Sequence, residues 1–222
     1  MEELQKINII YEDNHLLVVE KPINVPVCQD SSLDEDLLSM LKNYIKLKYN
    51  KPGNVYLGLI HRLDRPVGGV MVFAKTSKAA SRLSDQVREH KLEKSYYAVL
   101  EGRISKDGEL IDYLVKDNKR NISFVGNKNN GKLSKLEFRI IGYHDNFSLV
   151  DINLKTGRSH QIRVQFSSRG FPLVGDAKYN KNADKKTSVA LFSYKLSFYH
   201  PVTKEKLVFS LDMPKRYPFN LF

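Results

Sequence analysis

The spacing of apolar residues changes character near Lys94. Ahead of it, short apolar runs alternate with stretches of helical period; beyond it, period two dominates. Ile7 to Tyr11 and Leu16 to Val19 flank Asp13-Asn14 and predict a strand pair joined by a tight turn. Ser32 and Glu35 form a capping-box pattern before Leu37, Leu38, Leu41, Tyr44 and Ile45, which share one helical face. That helix is expected to stop by Pro52-Gly53. A second helix is predicted from Ser77 to His90, with Ala80, Leu83 and Val87 inward and Lys78, Arg82, Arg88 and Lys91 turned to solvent or phosphate. In the second half, strands are predicted at Tyr96 to Leu100, Leu136 to Ile141, Phe147 to Leu154, Leu191 to Leu196 and Leu207 to Leu211. One helix is inserted after Gly157 and ends near Gly170. The polar stretch Gly126 to Lys132 reads as a mobile connection and not as a domain boundary.

At 222 residues, length alone allows one domain or a compact pair of lobes. Charge narrows the partners. Lys and Arg number 36 against 25 Asp and Glu, a formal charge of +11, which favours polyanions: nucleic acid first, an anionic membrane surface second. No stretch approaches the roughly 18 apolar residues of a spanning helix, and Met1-Glu2-Glu3 lacks the basic region of a signal peptide, so no membrane partner is expected. The single Cys28 forbids an intramolecular disulfide and fits a reducing cytoplasm, and it is expected to be a small buried hydrophobe.

Two kinds of chemistry can be set aside. Gly126 and Gly131-Lys132 match the spacing of a phosphate-binding P-loop, but Leu133 replaces the Ser or Thr that would hold magnesium, and the residues after it alternate like a strand. Metal catalysis is not expected either, because the six His residues show no paired ligand spacing and there is no second Cys.

The segment His61-Arg62-Leu63-Asp64 is the strongest candidate. It precedes Pro66, Gly68-Gly69 and the apolar run Val70 to Phe73, so one carboxylate sits where the chain turns into a strand. Catalytic acids are often presented this way, although Asp also favours turns for its own backbone hydrogen bonds.

Four segments far apart in the chain carry a resemblance. His61-Arg62-Leu63-Asp64 with Gly69, Lys94 to Val99, Thr156 to Val164, and Gly175-Asp176 with Tyr179 together resemble the RluA-type pseudouridine synthases. Val18-Val19-Glu20-Lys21-Pro22 and the late Leu196-Ser197-Phe198 with His200 to Thr203 extend the likeness to nearly the whole chain. The resemblance implies an α+β pseudouridine synthase fold: a long, mixed, mainly antiparallel sheet with flanking helices and a central cleft, residues 1–222 forming a single catalytic domain. It implies isomerisation of uridine within structured rRNA or tRNA by a cytoplasmic monomer, with no cofactor and no metal. The N1 glycosidic bond breaks, the base turns, and it rejoins through C5.

In that likeness Asp64 is the nucleophile, attacking either the sugar C1′ or the base C6. A carboxylate suits a group that must attack and then leave again. It has to be ionised, and Arg163 is the partner implied to offset its desolvation. Tyr96 is implied to stack on the target base; Tyr97 points to the opposite face by strand alternation. Arg62 fills the gap left by the everted uridine, and His61 and Arg158 complete the substrate-binding set, Arg158 and Ser159 being equally open to capping or phosphate contact. Departures from the family pattern are Val67-Gly68-Gly69 where relatives read Thr-Ser-Gly, and Phe192 and Gln165 where His is common. The last two bear on RNA contacts more than on chemistry. Nothing ahead of Ile7 resembles the small basic S4-type domain that some relatives carry, so recognition is expected to rest on the catalytic body.

Two other readings compete. An RNA-binding or RNA-folding module without catalysis fits the charge but gains little from an acid in a phosphate-facing cleft. A glycosidase needs a second acid, for which Asp176 is the motif candidate.

Overall fold

A computed structural model describes residues 7–30 and 32–222; Met1-Glu2-Glu3 lies outside the described residues. The chain divides into two compact units, Met1–Leu92 with Lys195–Leu211, and Glu93–Tyr194 with Asp212–Phe222.

The first unit is a sheet backed by a helix. The predicted hairpin forms as β1 (Asn8–Glu12) and β2 (Leu16–Lys21), antiparallel around a turn in which the Asp13 carboxylate accepts the backbone N–H groups of His15 and Leu16. β3 (Gly58–Leu59) and β4 (Gly68–Ala74) come next, and the sheet runs β1-β2-β4 and on to the end of β10 (Leu191–Tyr199), on which β11 (Lys206–Ser210) pairs. Every residue of β4 is buried, so its apolar run has no polar alternation. Leu16, Val18, Val70, Val72, Leu196 and Phe198 make one core with Ala79 and Leu83 of helix α2 (Ser77–Arg88). Of the inward positions predicted for α2, Leu83 is buried, while Ala80 and Val87 pack against that core partly buried. Gln86 is buried as well. Its amide donates to the Tyr199 carbonyl (2.6 Å) and accepts from the Tyr199 N–H (2.8 Å), closing a polar clamp that hydrophobic spacing cannot reveal.

Helix α1 (Leu37–Lys48) buries Leu37, Leu41 and Ile45, as its period predicts, but its start differs from expectation. Asp36 is the cap, its carboxylate accepting from the Ser39 N–H (3.0 Å) and hydroxyl (2.7 Å). Ser32 instead donates to Asp34, four residues too early to reach the first turn. Cys28 is half-buried where full burial was expected, and burial pushes its thiol up, away from the reactive thiolate.

The second unit is built from the start of β10 with β5 (Glu93–Glu101), β9 (Phe147–Leu154), β8 (Lys132–His144), β6 (Gly108–Asp117) and β7 (Ile122–Val125), in that order, with β5–β9, β9–β8, β8–β6 and β6–β7 all antiparallel. Helix α3 (Gln161–Ser167) packs on β6 and β7, and a left-handed Gly170 (φ 83°) ends the turn after it. The stretch expected as a mobile connection is a hydrogen-bonded turn: the Asn127 N–H meets the Asn130 side-chain oxygen (2.9 Å), and the Gly131 N–H meets the Asn127 carbonyl (2.9 Å). No helix among the described residues is long and apolar enough to cross a membrane.

Replacing Asp36 with Ala should lower stability by about 1 kcal/mol, the usual worth of a helix cap. Ser32→Ala should cost clearly less; equal losses in denaturant titrations would return the cap to Ser32.

Candidate active site

Asp64 belongs to the first unit, in the loop between β3 and β4. Its carbonyl accepts the Val67 N–H (2.9 Å), which closes a turn over Arg65-Pro66. His61, on the same loop, is 9% exposed, and its Nε2 accepts the Val72 N–H (3.2 Å). The resemblance makes His61 a substrate contact. The structure turns it inward, where it braces the loop against β4, because a buried backbone N–H needs an acceptor there. Arg62 is exposed and Asp64 partly so. Arg65 leaves the loop on the other side and ties it to the α1 approach, donating to the Asn24 carbonyl (3.1 Å) and pairing with Asp34.

The residue that sequence reading left without a role is Lys21. It is 1% exposed at the end of β2, and its ammonium donates to three carbonyls, those of Pro22 (2.8 Å), Arg65 (3.0 Å) and Val67 (2.8 Å). Two of the three lie in the Asp64 loop. An ammonium has three N–H groups and no acceptor, so it matches this cage of oxygens proton for proton. Burial pulls its pKa down to about 7; the Asp64 charge opposes that fall and Arg65 adds to it. Gly68 makes the close approach possible, since a Cβ there would stand 3.0 Å from the Ile23 side chain and 3.1 Å from the Lys21 carbonyl. The family's Ser at this position would have to move those atoms. Lys21 sits in a motif of the resemblance, Val18-Val19-Glu20-Lys21-Pro22, and its place there was the available signal.

The other candidates lie in the second unit. Tyr96, on β5 opposite Ile152 of β9, is 5% exposed. Its neighbour Tyr97 faces the other way and stacks on Tyr194, ring centroids 3.8 Å apart and planes 8° from parallel. Tyr194 in turn donates to Asp151 (3.0 Å), so Tyr97 is committed to that stack.

Arg163, on α3, is 4% exposed and held bidentately by Asp176, Nε to Oδ2 at 2.7 Å and Nη2 to Oδ1 at 2.6 Å. Both oxygens of Asp176, itself fully buried, are engaged. This removes the second acid that a glycosidase would need, because a carboxylate locked in a fork cannot serve as a free general acid. Gly175 (φ 73°) delivers Asp176 to that position; a Cβ there would lie 2.6 Å from the Thr187 carbonyl. The Arg163 guanidinium also lies 5.2 Å from the Tyr179 ring centroid. The Tyr179 hydroxyl accepts the Ser123 N–H (2.7 Å) and is hydrogen-bonded to His160 Nδ1 at 2.7 Å.

The start of α3 is organised by a side chain inside the helix. His160 is left-handed (φ 53°) and gives no cap. The Gln161 side-chain oxygen accepts from the Thr156 hydroxyl (2.8 Å) and the Arg158 N–H (3.0 Å) instead. Arg158 is exposed, its Nε donating to the Leu133 carbonyl (3.0 Å). The two departures that bore on RNA contacts are both interior. Gln165 is fully buried on Asp112 (2.7 Å) and Gln161 (3.1 Å), and Phe192 is 6% exposed.

Unfolded, the Lys21 amine titrates near 10.5. Because the folded value is lower, the unfolded chain keeps the proton in between, and stability should rise with pH from about 7 to 10.5, by at most about 1.4 kcal/mol per unit. In denaturant titrations the difference between the parent chain and Lys21→Met should grow in that window; a constant difference contradicts it. Asp176→Ala should cost about 3 kcal/mol by stripping the carboxylate from a buried pair. A loss below about 1 kcal/mol, the range of an exposed pair, would refute the buried fork.

Comparison with known proteins places this geometry. The family model described as RNA pseudouridylate synthase matches residues 15–168. An uncharacterized RNA pseudouridine synthase of Aquifex aeolicus is 33% identical over 95% of this chain and 71% of its own length. The ribosomal large subunit pseudouridine synthase D of Zymomonas mobilis is 31% identical over 94% of this chain and 70% of its own. The corresponding synthase C of Buchnera aphidicola is 34% identical over 90% and 65%. In fold, the chain is similar to the solved human RNA pseudouridylate synthase domain containing 4, with a TM-score of 0.81 at 20% identity over 99% of this chain and 93% of that one. Matched from the β1–β2 turn to the end of α3, and alike to these relatives over nearly all its length, the chain belongs to the RNA pseudouridylate synthases, isomerases that convert uridine in RNA to pseudouridine.

Proposed function

We propose that Asp64 is the nucleophile of this isomerase, Tyr96 the base-stacking residue and Arg163 the cation that offsets the carboxylate's desolvation. The observation that carries this reading is the Asp64 loop itself, closed by its own turn and gripped from below by the buried Lys21 ammonium. A covalent nucleophile is useful only when held to a fixed geometry, and fixing it in advance spares the reaction that entropy. Attack falls on the sugar C1′ or the base C6; in either case the N1–C1′ bond breaks, C5 takes its place, and the C5 hydrogen leaves as a proton.

Arg62, exposed two residues before Asp64, is the side chain suited to fill the stack vacated by the uridine. Arg158 serves the RNA backbone, and His61 acts by bracing the loop. The substrate is structured RNA. The names of the Zymomonas and Buchnera relatives favour ribosomal RNA of the large subunit, with transfer RNA the second choice. The enzyme is proposed to work in the cytoplasm as a monomer, with residues 1–222 serving as one catalytic domain.

Asp64→Ala should abolish tritium release from RNA labelled at uridine C5 while leaving RNA affinity within a few fold. Retained release would remove Asp64 from its role, and no release by the parent protein on total RNA would favour a binding module. Mapping pseudouridine in RNA from cells lacking the protein identifies the target.

A further inference from the structure

The second unit carries a hollow of about 520 Å³ beside β6, β7 and the approach to α3, lined by Lys116, Asn118, Ser123, Lys132, Arg158 and Ser159 among others. We propose that this hollow is a subsite for the phosphate–ribose backbone of the RNA strand next to the target uridine. The inference rests on the family's activity on RNA and adds a place and a ligand chemistry to it.

Charge is the first argument. No acid lines the hollow, and among the described residues none of Lys116, Lys132 and Arg158 has a carboxylate within 4.0 Å. Some exposed cations of the same unit are matched, Lys135 with Glu109, Lys155 with Glu137 at 2.9 Å, Arg139 with Asp151 at 3.1 Å and Arg169 with Asp112 at 2.9 Å, and others such as Lys106 and Lys128 stand singly on open surface; what sets Lys116, Lys132 and Arg158 apart is that all three line one hollow. Asp117, next to Lys116 in the chain, is taken up by its own turn, accepting the Lys119 and Arg120 N–H groups (2.9 and 3.0 Å). Three uncompensated cations around one concavity raise the local potential for an anion, since a concave wall concentrates the field.

Geometry is the second. Arg158 is pinned by its Nε on the Leu133 carbonyl and by its backbone N–H on Gln161, so its outer nitrogens are presented from a fixed stem. A pre-organised guanidinium fork matches two phosphate oxygens at little entropic cost. The hydroxyls of Ser123 and Ser159 and the Asn118 amide add neutral groups of the kind that meet a ribose 2′-hydroxyl.

The lining also says what does not bind. It contains no aromatic ring, only Leu114 and Val115 as apolar walls, so a base finds no stacking platform. The volume falls within the roughly 300–1,000 Å³ of small-ligand sites, enough for a sugar and its phosphate. Position makes it a neighbour of the chemistry in this unit. Ser123 donates through its backbone to Tyr179, Ser159 precedes His160 on the same hydroxyl, and the Tyr179 ring lies against Arg163.

The test is the salt dependence of binding by the full chain to an oligouridylate of about 12 nucleotides, between about 50 and 200 mM salt. Lys116→Gln with Lys132→Gln should flatten the log K against log salt slope by about 1.4, two contacts at roughly 0.7 each for a single strand. Lys46→Gln with Lys51→Gln, which removes the same charge from exposed positions of the first unit, should change it by less than about 0.5. A slope for the Lys116/Lys132 pair equal to the parent's, or matched by the control pair, overturns the subsite. Tritium release by the parent is followed in parallel. Release with an unchanged slope defeats the subsite alone, whereas a parent that neither binds nor releases defeats the enzymatic reading and the subsite together.

Discussion

A single buried ammonium organises the first unit. Lys21 ends a strand whose first four residues, Leu16 to Val19, are committed to the core, and its charge can be tolerated in the interior only because three carbonyls receive it. Those carbonyls belong to segments that would otherwise leave acceptors buried without donors, so the cost of burying the charge and the cost of a loop without regular pairing offset each other. The Asp64 turn is therefore held from inside, and solvent-facing contacts such as Arg65 with Asp34 are secondary, screened as exposed pairs are.

The second unit uses a different device for a similar end. Asp176 forks onto Arg163, and Tyr179 packs its ring on the same guanidinium while its hydroxyl joins Ser123 to His160. Helix α3 is short and lacks a conventional cap, which would leave it marginal in isolation. Its position comes from side chains reaching out of it: Gln161 back to the preceding loop, Gln165 to Asp112, and Ser167 to the Tyr179 carbonyl. Polar satisfaction fixes this helix together with the burial of Ile162, Val164 and Phe166.

How legible each element was in the sequence depends on which force dominates it. β9 appears at its predicted bounds, and β2, β4 and α2 nearly so, because their inward faces are mainly apolar, with Lys21, Gln86 and Ser148 the buried polar exceptions. β6 was missed for the opposite reason. Its inward row is Leu110, Asp112 and Leu114, and Asp112 breaks the alternation while being satisfied by Gln165 and Arg169. β7 is four residues long with one buried side chain, too brief to declare a period. At the site, the family resemblance pointed to Asp64, Tyr96 and Arg163, whereas Lys21 and the Asp176 fork needed coordinates, because partners 44 to 46 residues apart for Lys21 and 13 for Arg163 leave no periodic trace.

The first unit is discontinuous: its core lacks Leu196 and Phe198 until roughly a hundred intervening residues have been made. At about 5–20 residues per second, a nascent chain on the ribosome spends roughly 5–20 s with Val70 and Val72 facing an absent strand. The second unit is discontinuous too, closed by Asp212–Phe222, but all five of its complete strands precede Tyr194. Translation therefore delivers the closing strands of the nucleophile's framework only after the second unit's own strands, and a chain truncated before β10 would expose an apolar sheet edge to aggregation instead of yielding a half-formed enzyme.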